Sequence, residues 1–396
     1  MGLAGFKYLS WKRLTALTLI VAVSSMLFSI TVLSLLGFYR GFTAYLGEEN
    51  NVVAIYDKAS STPFTGVVPA YIAENVARRV SACSPEVLAP CIIKGKAFFI
   101  RGVLPAEFMK ITDLKILEGE MLNSADLNSA VLGLRAAEKL GLRVNDRITV
   151  FGVMADRCLE LTVKGVYQSN SPLDDEVLAP LHVGQWLRGA GYGYVTLIRI
   201  KNEDAQSLRD TVYMGIASSE AEIESGEAQT PVQEPPKPLQ EMITPRVIVR
   251  FKPENLGVED VQRFMKNYMD RYGLTREVML IFSSAVFLFS SLSITAAAKT
   301  IIAHHKGEIS VLRSLGASKR TLKWDLLAKL IPWCITASLL GLSVATVTLM
   351  AVQSHMRPEI LSHTLMLHFD PIIVALPPIL SSALVSAYIL KAEVEV

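Results

Sequence analysis

The chain has 396 residues, 51% hydrophobic and only 19% charged, with a mean hydropathy of +0.36. Ordinary soluble domains carry about a quarter charged residues, so this composition excludes that class. The net charge of +2 says little about partners, because the charges are strongly segregated along the chain.

Residues 1–13 interleave Phe6, Tyr8, Leu9 and Trp11 with Lys7, Lys12 and Arg13. That pattern suits a cytoplasmic interfacial helix, with aromatics at headgroup depth and cations toward anionic lipid; it equally suits a helix end with snorkelling side chains. Four stretches then reach the roughly 20 apolar residues a bilayer requires. They are residues 14–39, 278–298, 330–356 and 371–390, and none contains Asp, Glu, Lys or Arg. The first follows a basic start, as a secretory signal would. Its apolar run exceeds the about 7–15 residues of a signal core, and no small-x-small cleavage site follows, so it reads as an uncleaved anchor. Met1-Gly2 opens like a myristoylation signal, but Phe6 stands where that motif needs Ser or Thr.

Residues 40–277 lack membrane-spanning character. Strands are expected at 51–56, 96–103, 147–151, 159–167, 194–200 and 247–251, and helices at 71–80 and 135–140. A further helix, 258–272, leads toward the second span. Gly141 should end the 135–140 helix, and Asn145-Asp146 should turn into the next strand. Residues 218–245 are acidic, Pro-rich and free of aromatics; a mobile excursion is expected there, since little surface can be buried to offset ordering. The fold class expected is therefore an integral membrane α-helical protein with four transmembrane helices. A large extracytoplasmic α+β domain is inserted between the first and second.

Orientation follows from residues 299–329. Lys306, Arg313, Lys319, Arg320, Lys323 and Lys329 surround only Glu308 and Asp325. A short connector this basic belongs on the cytoplasmic side, as does the basic N-terminus. Residues 40–277 and the loop 357–370 then lie outside, and the tail 391–396 inside. The expected location is the plasma or inner membrane, with both termini cytoplasmic. The Ser- and Ala-rich second span suits close helix packing, and Pro377-Pro378 should kink the fourth.

Catalytic and metal chemistry find little support. His355, His363 and His368 cluster in the outer loop and His304-His305 sit inside, but no zinc-type ligand spacing accompanies them. Cys83 and Cys91 flank Ser84-Pro85 and are candidates for a disulfide across a turn; free buried thiols are the alternative. The spans carry none of the acids or bases that ion-coupled carriers keep at membrane depth. No GxxxxGK[ST] phosphate loop occurs, and Lys94-Gly95-Lys96 and Gly316-Ala317-Ser318-Lys319 do not replace it. The chain is not expected to be an enzyme or to hold a cofactor or metal.

The inner connector is the most specific feature. Residues 308–315 suit a short helix with Ile309, Leu312 and Leu315 on one apolar face, ended by Gly316. Ser318 can cap a second helix in which Leu322, Leu326 and Leu330 recur at four-residue spacing. The plainer reading is electrostatic anchoring to anionic lipid. The sharper one is docking of a helix into a groove on a cytoplasmic protein.

Here the sequence resembles a known family. GEISVLRSLGASKRTL is similar to the cytoplasmic coupling segment of ABC-transporter permeases of the FtsX/MacB type. FFIRGVLPAEF, AVLGLRAAEKLGLRVNDRITV, Leu161–Val166 and Val177–Leu187 resemble successive pieces of the periplasmic core domain of the MacB/LolC/LolE type. The likeness spans nearly the whole chain. Asn145 replaces the usual Gly, and residues 218–245 have no counterpart in the family pattern.

The resemblance implies a complex of two permease chains, identical or different, with two ATPase subunits. Glu308, Ile309, Leu312, Arg313, Leu315, Gly316, Ala317 and Ser318 would dock on the ATPase, and the first and second spans would carry its motion outward. The implied function is mechanotransmission in export or extraction of a lipid, lipoprotein, peptide or drug-like substrate. The alternative is an FtsX-like regulator that activates an extracytoplasmic wall hydrolase without transport; such proteins usually have a far smaller outer domain. Expected partners are the cytoplasmic ATPase, a second permease chain, membrane lipids and an extracytoplasmic partner or substrate; nucleic acid is not among them.

Overall fold

The computed structural model describes residues 11–43, 52–62, 64–201, 208, 210, 253–271, 273, 275–356, 359–360, 362–364 and 371–391. The features expected at 1–10, 218–245, 247–251 and 392–396 lie outside them.

In chain order, α1 (Trp11–Thr43) precedes β1 (Val52–Asp57), β2 (Val68–Pro69), α2 (Ala70–Ala77), β3 (Cys83–Ile93) and β4 (Lys96–Val103). Next come α3 (Pro105–Ile111), β5 (Lys115–Gly119), β6 (Ser129–Gly133), α4 (Leu134–Leu140), β7 (Arg147–Gly152) and β8 (Arg157–Gln168). A 3-10 turn, Pro172–Asp175, leads to β9 (Val177–Pro180), α5 (Leu181–Arg188), β10 (Tyr194–Val195) and β11 (Leu197–Lys201). After β12 (Leu256–Asp260) and α6 (Val261–Arg271) come α7 (Arg276–His304), α8 (Lys306–Ser314) and α9 (Lys319–Met356). The short hairpin strands β13 (Glu359–Ile360) and β14 (His363–Thr364) precede α10 (Pro371–Lys391).

These elements form two compact units. One is helical: Met1–Arg40, Gly273–Pro358 and Leu365–Val396; the other is α/β: Gly41–Tyr272 with Glu359–Thr364.

The α/β unit is built on one 10-stranded mixed sheet. Strands β3, β4, β9, β6, β8 and β7 pair in that cyclic order, because β7 bonds both β8 and β3. The sheet therefore closes on itself and leaves no free edge in that part. The β4–β9 and β6–β8 pairings are parallel and the others in the ring antiparallel. Burial alternates strictly along β7, as one face inside and one outside require. The interior is filled by side chains including Ile93, Phe98, Ile100, Leu132, Val150 and Leu161.

From β3 the sheet continues through β11 and β1 to β12. Helix α6 lies on β1, with the Phe264 ring 4.1 Å from that of Tyr56. Pairing of β12 with β1 delays the helix expected from 258 until Val261. The strand expected at 194–200 is split at Thr196, whose hydroxyl accepts from the Leu88 amide at 2.8 Å.

The disulfide expectation is corrected. Cys83 and Cys91 both lie in the single strand β3 and are free thiols. Eight residues of strand span about 26 Å, whereas a disulfide needs Cα atoms within about 7 Å. The turn expected at Ser84-Pro85 is absent; Pro85 faces Ile198 within the ladder.

In the helical unit, Leu17, Val21, Ile294, Ile301, Leu326, Leu330, Val385 and Ile389 share one core. Helices α1 and α9 approach so closely at Gly341 that an added Cβ would lie 2.2 Å from the Ala22 carbonyl oxygen. Among the described residues, three helical stretches are long and apolar enough to cross a membrane: Leu14–Leu35, Ile281–His304 and Lys319–His355. The apolar part of α10, Ala375–Lys391, is shorter. Helix α9 runs without a break, so the second connector helix and the third apolar stretch are continuous.

Candidate functional site

The connector between α7 and α9 is a tight helix–turn–helix. A single residue, His305, separates α7 from α8. It is buried, its ring pairs with the Glu308 carboxylate, and its carbonyl accepts from the Ile309 amide at 3.0 Å. At the far end Gly316 adopts a left-handed φ of 93°, a conformation that costs a residue bearing a Cβ about 1–2 kcal/mol. The Ala317 amide returns to the Leu312 carbonyl at 3.2 Å, closing the helix end as such glycines commonly do. Ser318 Oγ accepts from the Thr321 amide at 3.1 Å, capping α9.

The eight residues singled out from sequence are not on one face. Ile309 (2% exposed) and Leu312 (6%) belong to the core of the helical unit. Leu315 is 74% exposed, together with Val311 at 59%. Helix geometry explains the split. At about 100° per residue, Ile309 and Leu315 lie some 120° apart, whereas Val311 and Leu315 lie about 40° apart. Glu308, Gly316 and Ser318 are exposed, and Arg313 and Ala317 are intermediate. Val311 was not among the residues singled out from sequence, although its four-residue spacing from Leu315 was available.

The connector has a buried side and an open edge. Its inner side chains join α8 to α1, α7 and α9 through one apolar core, and its outer edge offers Val311 and Leu315. Lys323 Nζ donates to the Leu390 carbonyl at 2.6 Å, placing a cation at the C-terminal end of α10, where the helix dipole favours one. Among the described residues no group of three His, Cys, Asp or Glu could hold a metal ion.

A second polar concentration lies within the α/β unit. Arg101 donates to Glu86 at 2.5 Å and to Glu176 at 2.6 and 3.1 Å, and Arg199 donates to Glu86 at 2.6 Å. All four side chains are essentially fully buried. Burial alone would raise the Glu176 carboxyl. The charge of Arg101 and hydrogen bonds from His363 and Arg101 outweigh it, so the carboxyl is lowered to about 2. Beside this group Arg135 bonds Asp174 at 3.3 Å and Asp175 at 2.9 Å. Sequence reading gave no role to any of these residues, since their partners come from distant strands.

The family model of the MacB-like periplasmic core domain matches residues 14–224, and that of the FtsX-like permease C-terminal matches residues 280–392. Among solved structures, the periplasmic region of MacB from Actinobacillus actinomycetemcomitans is similar at 15% identity and a TM-score of 0.33, over 46% of this chain and 95% of that one. A domain assigned to a permease protein from Porphyromonas gingivalis is similar at 14% identity and a TM-score of 0.28, over 52% of this chain and 95% of that one. No curated protein matches. The two family models together span both units, and with its apolar helices and inserted extracytoplasmic domain the chain belongs to the FtsX/MacB-like family of ABC-transporter-type permeases.

Proposed function

We propose that the chain is the permease subunit of an ABC transporter complex and couples ATP hydrolysis by a separate ATPase to export or extraction of an extracytoplasmic substrate. The substrate is a lipid, lipoprotein, peptide or drug-like molecule. In this reading α10 is the fourth span, both termini are cytoplasmic, and a second permease chain completes the complex. The observation that carries the reading is the connector, whose buried face welds it to α1, α7 and α9 while its outer edge stays open. Such a part moves with the helices it is packed on. A push on Val311 and Leu315 by an ATPase would reach α1 and α7, which border the α/β unit in sequence, without any charged group crossing the membrane.

The test is purification of the full chain from its native membranes, with identification of what accompanies it. An ATPase carrying a phosphate loop is expected, with hydrolysis stimulated by the transported molecule after reconstitution. A chain that purifies without an ATPase overturns the reading. An ATPase complex that activates a soluble wall hydrolase and moves no substrate replaces it with the regulatory alternative.

A further inference from the structure

The hairpin β13–β14 stands between α9 and α10 in sequence, yet its contacts place Glu359–Thr364 with the α/β unit. Two strands of two residues each cannot hold a hairpin together unaided. What holds this one is its seat. Lys139 Nζ on α4 meets Glu359 at 2.5 Å. His363 Nε2 lies 3.0 Å from Glu176 Oε1, and the imidazole stacks on the Phe99 ring at 5.5 Å between centroids. The Thr364 amide and hydroxyl both donate to Asp175, at 3.0 and 2.8 Å.

The acceptors share a property that decides what the seat can do. Glu176 accepts two bonds from Arg101 and Asp175 pairs with Arg135, and none of these partners belongs to the hairpin. Glu86 and Glu176 are matched in charge by Arg101 and Arg199. Lifting the hairpin therefore strands no fully buried charge; it breaks the partly exposed Lys139–Glu359 pair, hydrogen bonds and the ring contact, which costs far less than breaking a buried ion pair. The grip is also aimed at the middle of the sheet, because Arg101 links Glu176 on the approach to β9 with Glu86 on β3, which Arg199 ties to β11.

We propose that the hairpin Glu359–Thr364, which the chain enters from α9 and leaves toward α10, is a releasable clasp seated on the α/β unit at Glu176, Asp175 and Lys139, and that it engages and disengages with ATP turnover. The proposal rests on the permease reading above. It adds a route into the α/β unit besides the chain connections from α1 and α7.

Hydrogen exchange at the Thr364 amide of the full chain tests it. In the chain alone the amide is protected. His363→Ala and, separately, Thr364→Val each speed its exchange about tenfold, the size of one lost hydrogen bond to a charged group, while the amides of β3 and β4 keep their protection. In the complex with the ATPase, a non-hydrolysable ATP analogue changes that protection, and His363→Ala lowers substrate-stimulated hydrolysis several-fold without loss of the ATPase. An amide unprotected in the wild type overturns the clasp, as does protection that nucleotide leaves unchanged with the ATPase bound. Absence of any ATPase partner defeats the permease reading itself, and the clasp falls with it.

Discussion

Glu176 and His363 stand 187 positions apart in the chain, yet their side chains meet at 3.0 Å in a buried setting. The contact joins the hairpin between α9 and α10 to the charge cluster of the α/β unit, and it gives that cluster a distinct acid response. The Glu176 carboxyl is held at about 2 in the fold, below its ordinary value of about 4.3. A depressed folded value stabilises the fold at pH above the ordinary value, and this contribution is lost as pH falls from about 4.3 toward 2. Denaturant unfolding of the full chain in detergent, followed through the α/β unit, should weaken across that window. In Glu176→Gln the pH dependence is shallower and overall stability lower, because Arg101 has lost half of its charge balance. An unchanged pH profile in the variant would remove Glu176 from the account.

Cysteine chemistry separates the strand from the turn that sequence suggested. Burial pushes the thiols of Cys83 and Cys91 up to about 12 each, so neither is a ready thiolate. Cys158 is exposed. Maleimide treatment of the native chain, read by peptide mass spectrometry, should label Cys158 while Cys83 and Cys91 react only after denaturation. Recovery of a peptide in which Cys83 and Cys91 are disulfide-linked would contradict the structure.

Helix packing in the membrane unit depends on Gly341. Because its absent Cβ would meet backbone rather than a movable side chain, Gly341→Ala must push α1 and α9 apart. A loss of about 1–3 kcal/mol is expected, with Gly341→Leu worse, measured as a lower thermal midpoint of the full chain in detergent. Equal midpoints for wild type and Gly341→Leu would show that this approach is not tight.

Much of the local structure was legible because the relevant signals act within a few residues. Gly141 (φ 62°), Asn145 (φ 73°) and Gly316 (φ 93°) all sit where punctuation in the sequence put them, since left-handed backbone is a local demand that Gly and Asn meet. Three of the four expected apolar spans were legible because hydrocarbon imposes its own length rule. Strand β3 was not, for its Pro85 read as a turn residue while its neighbour in the sheet holds it in extended backbone. The charge cluster was illegible too. Glu86, Arg101, Glu176 and Arg199 look like ordinary surface charges until β3, β4, β9 and β11 are assembled. In the connector the helix and its end were readable. The inward turn of Ile309 and Leu312 was not, because neighbouring helices compete with any partner for the same apolar face.

The central claim, that Val311 and Leu315 are the edge through which an ATPase drives this chain, is tested most directly by the double variant Val311→Asp, Leu315→Asp. Both side chains are exposed, so the variant should unfold at the wild-type midpoint. Its affinity for the co-purifying ATPase should fall at least about thirtyfold, as for loss of an interface hot spot worth about 2 kcal/mol. A double variant that still binds the ATPase as tightly as wild type and supports the same stimulated hydrolysis would contradict the account.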